Sequence, residues 1–313
     1  VLLFALSPIF FWVTVRLLAL VYVSWQIYSR LPALRSRKTS RLPLLLIGNA
    51  LLVVYSIGLN LSEYRNVTWS SYFSSLRNLR NSNASLPLNA NGLKPDIYYI
   101  ILDGYVRSDV LKDLYDYDNS EFVNNLEMEG FFVAQQSHSN YAKTILSVPS
   151  TLNMDYVDTF APGLDDSKFW WLMEPFIDHS EVRTLLKSQG YQTVSFSTNW
   201  SLTDMNSADI HLAAFPVELT DFEQYLLQTT PLRLSQPFLQ DSASVFTSET
   251  QRRTILHTLG ALDDFVSDPD PVFVFAHILL PHPPFVLDAE GKPVQSATDF
   301  SFKDAEDFEG SSE

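Results

Sequence analysis

No aspartate or glutamate occurs before Glu63, and this acid-free stretch holds two long apolar runs. Pro8 to Tyr28 carries a single charge, Arg16, and is long enough to cross a hydrocarbon layer of roughly 30 Å at about 1.5 Å per residue. A mid-span arginine is costly unless it faces other helices or snorkels, so Arg16 implies either further helices before residue 1 or a different framing of the span. Pro43 to Leu59 is shorter and uncharged. The segment between them holds five bases from Arg30 to Arg41 and no acid, and such loops stay in the cytoplasm. The second span therefore runs outward, and everything after about Leu61 is expected outside the cytoplasm. Residues 1–61 read as the membrane region of a multi-pass cell-membrane protein, about two transmembrane helices joined by a basic loop. Two buried core helices are the plainer alternative for the same runs.

The remainder is acidic: all 36 acidic residues follow residue 62, against 15 of the 21 basic ones. Such a field repels nucleic acid. It does not repel an anionic substrate held by a divalent cation, which inverts the local sign. The chain has no cysteine, which excludes disulfides, thiolate metal sites and a thiol nucleophile. Residues 62–94, rich in Ser, Asn and Leu, read as a stalk. Asn66, Asn83 and Asn199 each begin a glycosylation sequon, a weak pattern that matters only in a eukaryotic host.

From Pro95 short apolar runs alternate with helical patterns, the texture of an α/β domain with a mostly parallel sheet flanked by helices. Strands are expected over Ile97–Leu102, Phe131–Gln135, Tyr191–Ser197 and Val272–Leu279. Helices are expected over 108–129 with a break at 116–119, over 180–188, and over 248–266. Residues 199–247 show no clear period and suggest an insertion or cap. In open α/β sheets chemistry sits beyond the carboxyl ends of the strands. Asp103 follows the first strand, residues 137–144 follow the second, and His277 and His282 end the last.

Asp103 stands in Ile-Leu-Asp-Gly-Tyr, a carboxylate at the tip of an apolar strand before a turn-forming glycine. It suits a hard cation with oxygen ligands, or equally a helix cap or turn. Thr144 opens an apolar helical stretch, where backbone N–H groups and the helix dipole favour a phosphate or sulfate. Its hydroxyl is a nucleophile only with a base or metal beside it, and a simple N-cap is the other reading. Asn140 and Lys143 flank it and could meet an anion, or shape the turn. His138, His179, His211 and His257 lack metal-pair spacing, and Phe169-Trp170-Trp171 reads as core packing.

Three segments, Pro95 to Tyr105, Thr144 to Pro149 and His277 to Phe285, together resemble the sulfatase-like branch of the alkaline phosphatase superfamily. Lipoteichoic acid synthases and phosphoethanolamine transferases are similar, and they too hang an extracytoplasmic catalytic domain from membrane helices. Thr144, Ser147 and Pro149 reproduce the T-x-x-S-x-P pattern that the nucleophilic threonine opens in the transferases. The resemblance implies an alkaline phosphatase-like fold with residues 95–313 as the N-terminal part of the catalytic domain. It implies Thr144 as nucleophile, Asp103 and Thr144 as metal ligands, and a divalent metal, zinc or manganese. His282, and after it His277, would face the substrate. Formylglycine sulfatases carry C/S-x-P-x-R; here Thr151 stands where that arginine is needed, so phosphoryl chemistry is preferred.

The expected function is a metal-dependent hydrolase or transferase acting on a phosphate or sulfate ester of a membrane lipid or the cell envelope. A non-catalytic sulfatase-like protein binding a glycan or lipid head group is the alternative. The family's remaining ligands include an Asp-His pair followed by Gly, and no Asp-His-Gly occurs here, Asp178-His179 being followed by Ser180. The chain thus reads as a C-terminally truncated fragment, inactive alone, whose missing ligands are expected beyond residue 313.

Overall fold

The computed structural model describes residues 69–81, 94–164, 170–220, 223–224, 227–228, 231–239, 241–245, 247–265 and 270–294. Both apolar runs, the basic loop and most of the stalk lie outside the described residues. Among the described residues no helix is long and apolar enough to cross a membrane. Two compact units divide the chain, Val1–Phe73 with Ala161–Phe169, and Ser74–Phe160 with Trp170–Glu313. The sheet and the site belong wholly to the second.

Within the expected stalk, Trp69–Asn81 forms a helix, α1. The second unit continues with β1 (Ile97–Leu102), α2 (Ser108–Tyr115), α3 (Ser120–Met128), α4 (Thr144–Leu152), α5 (Val157–Phe160), α6 (Glu174–Asp178) and α7 (Glu181–Ser188). After these come β2 (Gln192–Phe196), β3 (Ile210–Leu212), α8 (Gln236–Leu239), α9 (Ser248–Ala261) and β4 (Val272–Ile278). The sheet runs β1-β4-β2-β3 and every pairing is parallel. The architecture is therefore α/β, with a four-stranded all-parallel sheet flanked by helices.

β4 occupies an inner position and is buried along its whole length, which is why Val272-Phe273-Val274-Phe275-Ala276 is an unbroken apolar run rather than an alternating one. Val272, Val274, Ala276 and Ile278 pack with Val194, Phe196 and Ile255 of α9 on one face. By strand alternation Phe273, Phe275 and His277 take the other face. There Phe275 meets Tyr99 of β1 at 5.9 Å between ring centroids. α4 buries Ile145, Leu146, Val148 and Leu152, so this helix is held by packing on more than one side.

Two sequence expectations are corrected. Residues 131–134 form no strand; Phe131 and Phe132 are 63% and 93% exposed. An apolar run becomes a strand only where a neighbouring strand accepts its hydrogen bonds, and β1 has its partner in β4. Conversely β3, a strand of three residues inside the aperiodic 199–247 region, pairs Ile210 to Leu212 with Val194 to Phe196. The expected break within 108–129 is present: Asp116 takes a left-handed conformation, φ 47°, between α2 and α3.

Candidate active site

The ladder between β1 and β4 continues one residue past the strand, where the Asp103 amide donates to the Ile278 carbonyl at 2.9 Å. The chain then turns sharply, the Tyr105 amide reaching the Leu102 carbonyl at 3.1 Å. Gly104 sits at φ +83°, and a Cβ there would lie 3.2 Å from the His282 backbone. Only glycine provides both that angle and that approach, so the turn carrying Asp103 nests against the loop carrying His282.

Thr144 is the first residue of α4, with Lys143 as N-cap in an extended conformation. The Lys143 carbonyl accepts from the Leu146 and Ser147 amides. The preceding loop is anchored at several points. Asn140 donates its side-chain amide to Ser150 Oγ at 2.9 Å, and the Tyr141 hydroxyl accepts from the Val157 amide at 2.9 Å. Arg107 binds Asp109 through two nitrogens and reaches over to the Ser137 carbonyl at 3.1 Å and the His138 ring at 2.9 Å. The segment after β1 is thereby tied to the segment before α4.

The outcome is a meeting of side chains forty-one positions apart. Thr144 Oγ1 donates toward the Asp103 carboxylate, 3.3 Å from Oδ1 and 3.2 Å from Oδ2. His277 Nε2 stands 3.2 Å from Asp103 Oδ2, and its Nδ1 stands 3.0 Å from Thr203 Oγ1. Burial pushes the Asp103 carboxyl up, but the hydrogen bond from His277, the nearby His282 ring and the Thr144 hydroxyl outweigh it and hold the group below its ordinary range. An ionised carboxylate thus faces the hydroxyl.

The donor set bears on the expected cation. Two oxygens sharing one cation at about 2.0–2.2 Å stand roughly 2.8–3.1 Å apart at a right angle and roughly 3.3–3.6 Å apart at the tetrahedral angle. The 3.2–3.3 Å between Thr144 and Asp103 falls between these and exceeds the roughly 2.7–2.8 Å of an optimised O–H···O bond. The pair fits two positions in one cation's shell. Among the described residues no three His, Cys, Asp or Glu side chains form a group that could hold a metal ion. The other positions would fall to solvent, to substrate oxygens or to residues outside the described ones.

Other residues singled out in the sequence divide. His277 is 1% exposed, so its ring meets Asp103 rather than solvent, which is not the substrate-facing position expected of it. His282 is partly exposed beside Gly104. The Lys143 side chain is exposed, while the Asn140 side chain is engaged with Ser150, shaping the loop. His179 and His211 are taken up elsewhere, by Ser207 and by Ser195 and Glu218. Thr203 and Arg107 were not anticipated. Thr203 lies in the aperiodic region, and Arg107 falls in a loop where an isolated arginine gives no pattern. No protein-family model, curated protein or solved structure matches this chain.

Proposed function

We propose that the chain is a membrane-anchored, extracytoplasmic, metal-dependent hydrolase or transferase of phosphate esters, built on the alkaline phosphatase-like plan, with Thr144 as its nucleophile. The observation that carries this reading is the Thr144 hydroxyl, at the first residue of a packed helix, directed onto the partly buried, ionised Asp103 at the carboxyl edge of a parallel sheet. A phosphate drawn to the start of α4 gains from the helix dipole, with its phosphorus in front of Oγ1.

Attack forms a bond from Thr144 Oγ1 to phosphorus and breaks the bond from phosphorus to the leaving alcohol. The hydroxyl proton has Asp103 as its near acceptor. A carboxylate held below its ordinary range is a weak base, so Asp103 alone does not make a threonine reactive. A divalent cation, zinc or manganese, held by Asp103 and Thr144 would lower the hydroxyl pKa and offset charge on the phosphoryl oxygens. Water, or an acceptor alcohol of the envelope, then displaces phosphorus from Thr144 and restores the hydroxyl. His282, partly exposed beside the turn that carries Asp103, would donate to the ester. The substrate class is a phosphate ester of a membrane lipid or envelope polymer.

The test is manganese- or zinc-dependent release of nitrophenol from phosphomonoester and phosphodiester substrates by the full-length protein. Thr144→Ala should abolish release, and mass spectrometry of quenched wild type should find phosphate on the Thr144 peptide. Metal binding without turnover of any ester would replace the enzyme by a non-catalytic binder of the same head groups.

A further inference from the structure

His277 is buried, yet it occupies the last but one position of β4 beside Ile101 of β1, where an apolar residue would pack more cheaply. Its two ring nitrogens are both engaged. Asp103 Oδ2, as part of a carboxylate, can only accept, so the hydrogen of the 3.2 Å contact must sit on Nε2. Thr203 Oγ1 then has a choice of acceptors: His277 Nδ1 at 3.0 Å, the Trp200 carbonyl at 3.4 Å and Thr198 Oγ1 at 3.4 Å. The nearest is the ring nitrogen, and with Nε2 protonated Nδ1 carries the lone pair that accepts.

Thr203 is itself immobilised. It is completely buried, its amide bonds to the Trp200 carbonyl at 3.1 Å, and the next residue, Asp204, accepts from both the amide and the hydroxyl of Thr198. A chain of donors therefore runs from the loop after β2, through β4, to the tip of β1: Thr203 hydroxyl to His277, His277 to Asp103, with Thr144 donating to Asp103 from the opposite side.

We propose that Thr203 and His277 are positioning residues that hold the Asp103 carboxylate toward Thr144, Thr203 acting by fixing which nitrogen of His277 carries the hydrogen. The terminal torsion of an aspartate is broad, and a carboxylate free to swing would meet Thr144 only part of the time. With Oδ2 held from behind, the carboxylate plane is set and both oxygens stay in reach of Oγ1. The opposite tautomer would turn a lone pair of Nε2 against the carboxylate, repelling the group it now holds. This inference rests on the reading of Asp103 and Thr144 given above.

The experiment uses the full-length protein labelled with [15N]histidine, the His277 signals being those that vanish in His277→Gln. Wild type should show a protonated Nε2 and an unprotonated Nδ1. Thr203→Val, nearly the same shape without the hydroxyl, should shift or split those signals, and Thr203→Ser should restore them. In the nitrophenol assay Thr203→Val should lower kcat about 10–100-fold, the usual effect of removing a group that orients a ligand, with KM within about twofold. Thr203→Ser should recover most of kcat, and His277→Gln, whose amide can still donate, should retain more than His277→Leu. A protonated Nδ1 in wild type, with Nε2 bare or protonated, overturns the inference. So does a Thr203→Val protein with unchanged signals and unchanged kcat. Absence of turnover in wild type defeats the proposed function instead, and the nitrogen signals then decide this inference alone.

Discussion

Gly104→Ala perturbs the point where the turn behind Asp103 touches the loop that carries His282. An L-residue at φ +83° costs about 1–2 kcal/mol. The added Cβ would lie 3.2 Å from both the Cα and the backbone nitrogen of His282, a few tenths of an ångström inside ordinary contact, and relieving that overlap costs about 1 kcal/mol more. The expected total is about 2–3 kcal/mol, or a Tm lower by about 4–12 °C for a domain of this size. Gly130→Ala is the internal control. It too has positive φ, +91°, but nothing lies within 4 Å of its added Cβ, so only the conformational part applies, about 1–2 kcal/mol. Thermal and urea unfolding of both variants measure the difference. Because the overlap at Gly104 moves Asp103 against Thr144, nitrophenol release should also fall in Gly104→Ala and persist in Gly130→Ala. Equal destabilisation by the two substitutions would refute the claim that the Gly104 turn is seated on the His282 backbone.

The Asp204 carboxyl is pushed up to about 7, foremost by burial, against the hydrogen bonds from Thr198, with Glu218 raising it further. Its unfolded value is about 3.9, so the folded state keeps a proton that the unfolded chain releases; its contribution to stability is full below about pH 4, declines to about pH 7 and is flat above. Asp204→Asn should therefore flatten the loss of urea stability between about pH 4 and about pH 7, and an unchanged slope would contradict the assignment. On the proposed topology, with the basic loop Arg30 to Arg41 on the cytoplasmic side, a cysteine introduced at position 83 of this cysteine-free sequence should react with a membrane-impermeant maleimide on intact cells. Reaction only after lysis would reverse the topology.

Some of this molecule was legible in its residues because the physics involved is local. Ile97–Leu102 and Val272–Ile278 carry unbroken apolar runs, and each is a strand of the parallel sheet, though only Val272–Ile278 is buried along its whole length. The Asp103-Gly104 step and the Thr144 helix start were visible as a strand end before a glycine and as a hydroxyl before an apolar helix. Phe131–Gln135 looked like those strands and is none, because a strand is completed by a neighbour's hydrogen bonds and its own residues say nothing of whether one is there. β3 failed in the opposite sense: three residues are too few to show a period, and Val194 to Phe196 supply the pairing.

The roles of the two histidines separate along the same line. In the sequence, His277 and His282 belong to one motif, and both are expected to face the substrate, His282 ahead of His277. The parallel register sets His277 inside the sheet beside Ile101 and leaves His282 past its end, so one supports Asp103 from behind and the other stands at the partly exposed edge. Sequence by itself determined three of the four strands, the main helices of the sheet unit and the polar residues at their ends, since capping, turning and burial patterns act over a few residues. The meeting of Asp103 and Thr144 was expected from the sequence, but tertiary structure alone decided that Thr203 and His277, from two further segments, join them in one line of hydrogen bonds. That line depends on strand order and register, which long-range pairing sets and no local pattern records.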